Sequence, residues 1–323
     1  VNSKGVDERW QKLQVLAKTQ LRNQRRGQNF RISPDATDVI NAVNAAIYLR
    51  RPLLVTGRPG AGKTSLAYAI AHELNLGPVL SWAITARSTL QEGLYSYDAL
   101  ARLQDSQQKE TQDQKIAQDI GKYITLGPLG TAFLPCLLPR VLLIDEIDKS
   151  DINLPNDLLN LLEEGEFEIR ELVRRSQAEK TQESQEKEYK VRTHDQSIDA
   201  LIKAGRVSCY AFPIIVMTSN GERDFPPAFK RRCLRVRMPD PNREALKAIV
   251  EAHFGEEKTL FQNAESKINE LLKEFMPDEK QPLERATDQL LNTIYLLTRE
   301  VNFPEDDENS VKEILFKTLS SGD

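Results

Sequence analysis

The stretch Gly57-Arg58-Pro59-Gly60-Ala61-Gly62-Lys63-Thr64 fits GxxxxGK[ST] at every fixed position and stands between an apolar run and a helix-periodic segment. A strand that ends in such a loop and continues as a helix is the setting of a phosphate-binding loop. The glycines let the backbone curl until successive N–H groups point inward, and the following helix adds the positive end of its dipole. Lys63 is suited to neutralise β- and γ-phosphates, and the Thr64 hydroxyl to ligate Mg²⁺. Gly57, Arg58, Pro59, Gly60, Ala61, Gly62, Lys63, Thr64 and Ser65 are therefore expected to bind a nucleoside triphosphate. The competing reading is a Gly-rich turn whose lysine faces solvent.

Composition bounds the rest. With 323 residues, 40% of them hydrophobic, about two globular domains are expected. The formal net charge of −4 does not favour a phosphate-backbone partner, so nucleic acid is not the expected ligand. Cys136, Cys209 and Cys233 are far apart and share no metal-ligand spacing with His72, His194 or His253. They read as reduced packing residues. No apolar stretch approaches the ~20 residues of a membrane span, and no signal-peptide core is evident, so a cytoplasmic protein without membrane contact is expected.

Residues 1–30 are polar and basic, with a weak helical pattern at Trp10, Leu13 and Leu16, and fit either a linker or a packed arm. Ser33-Pro34-Asp35 resembles a helix start, followed by Val39, Ile40, Val43 and Ile47 on one face. Apolar runs predict parallel strands at 52–56, 141–144 and 214–218, and further strands are expected at 79–85 and 234–238. A helix over 64–76 should turn Leu66, Ile70 and Leu74 to the sheet. Strands alternating with helices imply an α/β domain over 31–240. Within it, residues 166–212 depart from that spacing and predict a projecting insert. Its hairpin arms are Glu166 to Leu172 and Arg206 to Tyr210. Its charged middle, with Glu183/Lys187, Glu186/Lys190 and Glu188/Arg192 at i, i+4, fits an exposed helix or a disordered segment. From 241 to 304 the pattern is purely helical, with Leu246, Ile249, Val250, Ile268, Leu271, Leu272, Leu283, Leu290, Ile294 and Leu297, and 305–323 form a tail.

Val141 to Ile144 ends in Asp145-Glu146, so two carboxylates emerge at the C-terminal edge of a buried strand, where open α/β sheets bind ligands. Asp145 would complete the Mg²⁺ shell opposite Thr64, and Glu146 would orient or deprotonate the attacking water. Ile214 to Ser219 delivers Asn220 to the same edge, where it can bond the γ-phosphate or that water; an asparagine capping a turn is the alternative. Arg231 and Arg232 end a short helical segment before the last strand. There they can serve the helix dipole, or reach a neighbouring subunit's γ-phosphate.

The order of phosphate loop, Asp-Glu strand, asparagine, arginine before a fifth strand and helical lid resembles the AAA+ ATPases over roughly residues 31–304. The resemblance implies a P-loop NTPase core with a five-stranded parallel sheet flanked by helices and a small all-helical lid. It also implies ATP rather than GTP, with Mg²⁺, and a homo-oligomeric ring, a hexamer, acting on a protein substrate or adaptor. Within AAA+ the chain looks most like the MoxR group, because Leu158 to Glu164 precedes a hairpin ahead of the Asn220 strand. Pro282-Leu283-Glu284-Arg285-Ala286 resembles that group's lid motif and makes Arg285 the second sensor, although Leu283-Glu284 stand where Ser-Pro is common. The family pattern makes Arg232, or failing it Arg231, the finger inserted from the next subunit. Gly93 to Asp98 and Gly127 to Gly130 resemble a pore-facing insertion in which Tyr95 and Tyr97 touch substrate, or simply pack locally. Similar segments occur in MoxR-like ATPases of bacterial conflict and defence clusters.

A remodelling ATPase is the first reading. An ATP-gated interaction switch with slow hydrolysis is the second, opposed by the intact Asp145-Glu146 pair. A DNA-directed motor is the third, for which Arg22, Arg25, Arg26 and Arg31 leave a small opening.

Overall fold

The computed structural model describes residues 3–33, 36–108, 119–179, 187–195, 198–254, 258–277, 285–298, 312 and 314–316. The N-terminal segment is a packed arm of two helices, α1 (Ser3–Thr19) and α2 (Leu21–Gln28). Leu13 is fully buried and packs with Trp10 and Leu16 against Cys136 and Ile198. The next helix, α3 (Thr37–Leu49), starts after the expected cap, of which Pro34 and Asp35 lie outside the described residues. Val39 is buried and Val43 and Ile47 pack beside it, but Ile40 is exposed, so the buried stripe is narrower than predicted. β1 (Leu53–Thr56) leads through the glycine loop into α4 (Lys63–Glu73), and β2 (Leu80–Ala83) follows. Leu66 and Ile70 face the core, whereas Leu74 sits past the helix end and is exposed.

After β2 the chain forms α5 (Leu90–Leu94), β3 (Tyr95–Tyr97), α6 (Ala99–Gln108), β4 (Ile124–Leu126), α7 (Pro128–Ala132) and β5 (Val141–Asp145). It continues through α8 (Leu154–Glu164), β6 (Glu166–Glu168), α9 (Arg170–Glu179), β7 (Glu188–Arg192), β8 (Asp199–Lys203), β9 (Arg206–Ser208) and β10 (Ile214–Ser219). Then come α10 (Pro227–Arg232), β11 (Leu234–Arg237) and three helices, α11 (Arg243–Phe254), α12 (Lys258–Phe275) and α13 (Thr287–Thr298).

Five strands form a wholly parallel sheet in the order β11-β1-β10-β5-β2. Successive strand side chains point to opposite faces, and the two halves of the core divide on that period of two. Leu54, Leu142, Ile144, Ile215 and Met217 join one cluster with α7 and α8 residues such as Leu129 and Leu158. Leu53, Val55, Val141, Leu143, Ile214 and Val216 join the other with α3 and α4. Both faces are covered, which is why these strands read as continuous apolar runs. Leu246, Val250, Ile268, Leu271, Leu272, Leu290, Ile294 and Leu297 form a separate core, the helical lid. Leu283 lies outside the described residues.

The insert differs from the sequence expectation. Instead of projecting, it builds a second sheet, β3-β4-β7-β8-β9-β6, that draws the segment after β2 together with the segment before β10. Glu166–Glu168 and Arg206–Ser208 do pair antiparallel, but Arg170 to Leu172 begins a helix. Glu188 and Arg192 are ends of a strand, with Tyr189 and Val191 buried between exposed neighbours; Glu183 and Glu186 lie outside the described residues. A two-residue turn with Ala204 and Gly205 both at positive φ joins β8 to β9, the mirror-type turn that suits the strand twist. Tyr95 is buried, donates its hydroxyl proton to Glu171 and accepts from the Arg170 N–H, while the Tyr97 hydroxyl accepts from Arg102. These tyrosines pack locally.

One buried ion cluster ties the arm to this sheet. Arg140, wholly buried, bonds both Asp195 oxygens at 2.7 and 2.8 Å and the Pro78 carbonyl at 2.9 Å, and Arg9 reaches Asp195 at 3.7 Å. Burial alone would raise the Asp195 pKa, but the hydrogen bonds and charge of Arg140, with Arg9, hold it below its ordinary 3.8. A depressed carboxylate contributes stability at every pH above that ordinary value and loses it as pH falls through the folded one. Asp195→Asn should therefore cost roughly 3 kcal/mol or more in urea unfolding at neutral pH, because two arginines are left buried against a neutral group. The gap between variant and parent should close in acid.

Candidate nucleotide-binding site

The parallel register decides what meets at the sheet edge. Thr56 pairs with Ser219 and Met217 with Ile144, so the chain leaves β1, β5 and β10 side by side, and Thr218 stands next to Asp145. Gly57, Gly60 and Gly62 all adopt positive φ, which an L side chain resists, so the loop's curl requires these residues. Lys63 closes the curl from inside. Its ammonium donates to the Gly57 and Arg58 carbonyls, each at 2.7 Å, and to Asn220 Oδ1 at 2.8 Å. Burial pushes the Lys63 pKa down, while Asp148, Asp145 and Glu146 oppose the shift.

On the adjoining side, Thr64 Oγ1 donates to Asp145 Oδ1 at 3.0 Å and Thr218 Oγ1 donates to the same oxygen at 2.6 Å. The Glu146 N–H donates to Thr218 Oγ1 at 2.8 Å, and Glu146 adopts the left-handed region at φ 61°, which swings its carboxylate off the line of the strand. Its Oε2 accepts from Lys149 at 2.8 Å, and Oε1 lies 3.5 Å from Asn220 Nδ2. Asp148 accepts the Asn220 and Glu222 N–H groups at 2.9 and 3.2 Å, fixing the turn that presents Asn220. A cavity of about 1220 Å³ opens over these groups, walled by the loop, the sheet edge, the arm and the lid. It is roomy enough for a nucleotide.

Residues 52–233, more than half of the chain, match the AAA domain (dynein-related subfamily). The chain belongs to that family. It is a nucleotide-dependent AAA+ ATPase by membership, and the match ends just before β11. No curated protein matches the chain. Among the described residues no helix is long and apolar enough to cross a membrane.

The residues of this AAA domain fit the group its family binds. A hydroxyl and a carboxylate converging within hydrogen-bonding distance, Thr64 and Asp145, are the hard oxygen donors Mg²⁺ takes. A buried ammonium capping a glycine loop, bonded to two of its main-chain carbonyls as well as to Asn220, is placed to exchange those carbonyls for phosphate oxygens.

The structure brings Lys63, Thr64, Asp145, Glu146 and Asn220 together and leaves the arginines apart. Arg232 pairs with Glu163 on α8 and donates to the Ala228 carbonyl at 3.3 Å, while Arg231 is exposed. Neither lines the chain's own cavity. Arg285 turns from the cavity: it donates to the Glu274 carbonyl at 2.8 Å, capping the end of α12, and lies 5.1 Å over the Phe316 ring. Its motif partners Pro282, Leu283 and Glu284 lie outside the described residues. The lid meets the loop instead through Ala286 and Thr287, and a Cβ on Gly60 would stand 2.8 Å from the Thr287 nitrogen. Thr218, Asp148 and Lys149 were missed by sequence reasoning. Asp148 and Lys149 follow Asp145-Glu146 directly and were visible as charges, but their partners depend on the register with β10.

Proposed function

We propose that this AAA chain is a Mg²⁺-dependent ATPase that works as a ring of identical subunits, a hexamer, and uses hydrolysis to remodel or activate a protein partner. The observation that carries the reading is the meeting of Lys63, Thr64, Asp145, Glu146 and Asn220 at one sheet edge beneath a lid. Thr64 and Asp145 would hold Mg²⁺, which when bound would offset the growing negative charge of the phosphoryl group. Lys63 gives up its carbonyl partners to phosphate oxygens. Glu146 orients the attacking water and accepts its proton, and Asn220, bonded to both Lys63 and Glu146, keeps that water in line with the terminal phosphate. The three free cysteines fit a reducing compartment, and we assign the protein to the cytoplasm.

The finger role of Arg232 belongs to the contact between subunits. In the single chain its partner is Glu163 at the surface, and an exposed pair of that kind is worth roughly 0–1 kcal/mol, so a neighbour's triphosphate can displace it. Arg232→Ala should bind ATP normally and lose about 10³-fold in turnover. Mixing it with Lys63→Ala subunits should restore activity, because each variant lacks a different half of the composite site. Co-assembly without restored phosphate release would count against the in-trans role. MoxR-like membership rests on the α8–hairpin–sensor order and on the Arg285 tract.

A second reading, the slow-hydrolysing ATP-gated switch, is favoured by the Glu146–Lys149 pair, which occupies the carboxylate that must accept a proton. If that pair restrains turnover, Lys149→Ala should hydrolyse ATP several-fold faster. Unchanged turnover would remove the observation behind the switch.

A further inference from the structure

Among the described residues, the lid side of the cavity presents no cation of the kind a triphosphate calls for. Among the described residues that line it there, Asp288 is charged and no lysine or arginine is present, since Arg285 caps α12 instead. The arm is the opposite case. Arg22, Arg25, Arg26 and Arg31 all line the same cavity. In α2 the first three stand at i, i+3 and i+4 with no acidic residue in the helix, an arrangement in which the like charges repel one another. A cation near a helix C-terminus also favours the helix dipole, but that role is fulfilled with the side chain in solvent. Arg26 is directed elsewhere. Its Nε donates to Ser65 Oγ at 3.1 Å, and its guanidinium lies 4.8 Å over the Tyr68 ring. Both partners belong to α4, the helix that the phosphate loop opens. Gly27 secures this placement, because a Cβ there would stand 2.7 Å from the Tyr68 carbonyl oxygen and push α2 off α4.

Thr64 and Ser65 therefore face two ways: Thr64 toward Asp145 and the metal side, Ser65 toward the arginines. Lys63 serves the outer phosphates. We propose that Arg26, flanked by Arg22 and Arg25, is a nucleotide-binding residue supplied by the N-terminal arm, and that it contacts the inner phosphate, the one next to the ribose. The proposal rests on the nucleotide-site reading above. It gives the arginine cluster a nucleotide rather than a nucleic acid as its anion, and it makes the arm part of the ligand cavity.

The test is equilibrium titration of the full chain with fluorescent ATP and ADP at two ionic strengths, for the parent, Arg26→Gln, Arg26→Lys and Lys63→Ala. Arg26→Gln should weaken ATP and ADP by the same factor, about tenfold, as expected for one lost charge-assisted contact. Its affinity should also depend less on salt, and Arg26→Lys should recover most of the loss. If Lys63→Ala loses nucleotide while Arg26→Gln keeps parental affinity for both, the proposal is overturned and the nucleotide site stands. If Lys63→Ala also keeps its affinity, the nucleotide-site reading has failed and takes the proposal with it. A loss confined to ATP would move the arginine to the terminal phosphate and refute the inner-phosphate role. A lower melting temperature with unchanged affinity would mark Arg26 as a clamp between α2 and α4 only. Unchanged nucleotide affinity with weakened, salt-dependent binding of single-stranded DNA would transfer the cluster to nucleic acid.

Discussion

Lys63→Ala is expected to reduce ATP affinity at least about a hundred-fold, as measured by equilibrium titration. The ammonium is the charge at the centre of the loop, and it bonds the Gly57 and Arg58 carbonyls and Asn220. Charge-assisted hydrogen bonds contribute about 1.5–3 kcal/mol each net of solvent, so losing two phosphate contacts corresponds to about 3–6 kcal/mol, a factor of one hundred or more. The fold should survive, because the glycine curl is set by backbone conformation at positions 57, 60 and 62 rather than by the lysine. Parental affinity in a folded Lys63→Ala protein would remove the loop from the account.

Glu146→Gln should bind ATP as the parent does and turn it over about 10²–10⁴-fold more slowly. An amide has nearly the shape of the carboxylate but cannot accept the proton of the attacking water, and general-base assistance is worth that range. The backbone at Glu146 is fixed by its own N–H bond to Thr218 and by the left-handed turn, neither of which uses the carboxylate. The variant also loses the ion pair with Lys149, an exposed contact of small energetic weight. Near-parental phosphate release would assign the water to another residue.

The parallel sheet and the loop were legible because both are written in local patterns: continuous apolar runs in the central strands β1, β5 and β10, and glycines at fixed spacing. Asp145, Glu146 and Asn220 were legible for the same reason, as polar residues at the ends of those runs. The second sheet was not. Its strands are three to five residues long, and Tyr189, Val191, Ala200 and Ile202 bury one face among charged neighbours, so the segment reads as a solvated helix until its partner strands are known. The packing of the arm was undecidable for a related reason. Trp10, Leu13 and Leu16 make only a short apolar stripe in a polar stretch, and what holds Leu13 and Arg9, namely Cys136, Ile198, Arg140 and Asp195, lies more than a hundred residues away. Arg285 shows the limit of motif reading in the other direction: its sequence context points to the phosphates, while its guanidinium caps a lid helix.

The most direct test is a crystal structure of the chain with Mg²⁺ and a slowly hydrolysed ATP analogue. The triphosphate should lie in the glycine curl, with Lys63 Nζ moved from the Gly57 and Arg58 carbonyls onto phosphate oxygens. Thr64 and Asp145 should meet at the metal, and Glu146 and Asn220 should face the terminal phosphate. Nucleotide bound elsewhere, with Lys63 still on its carbonyls, would contradict this assignment.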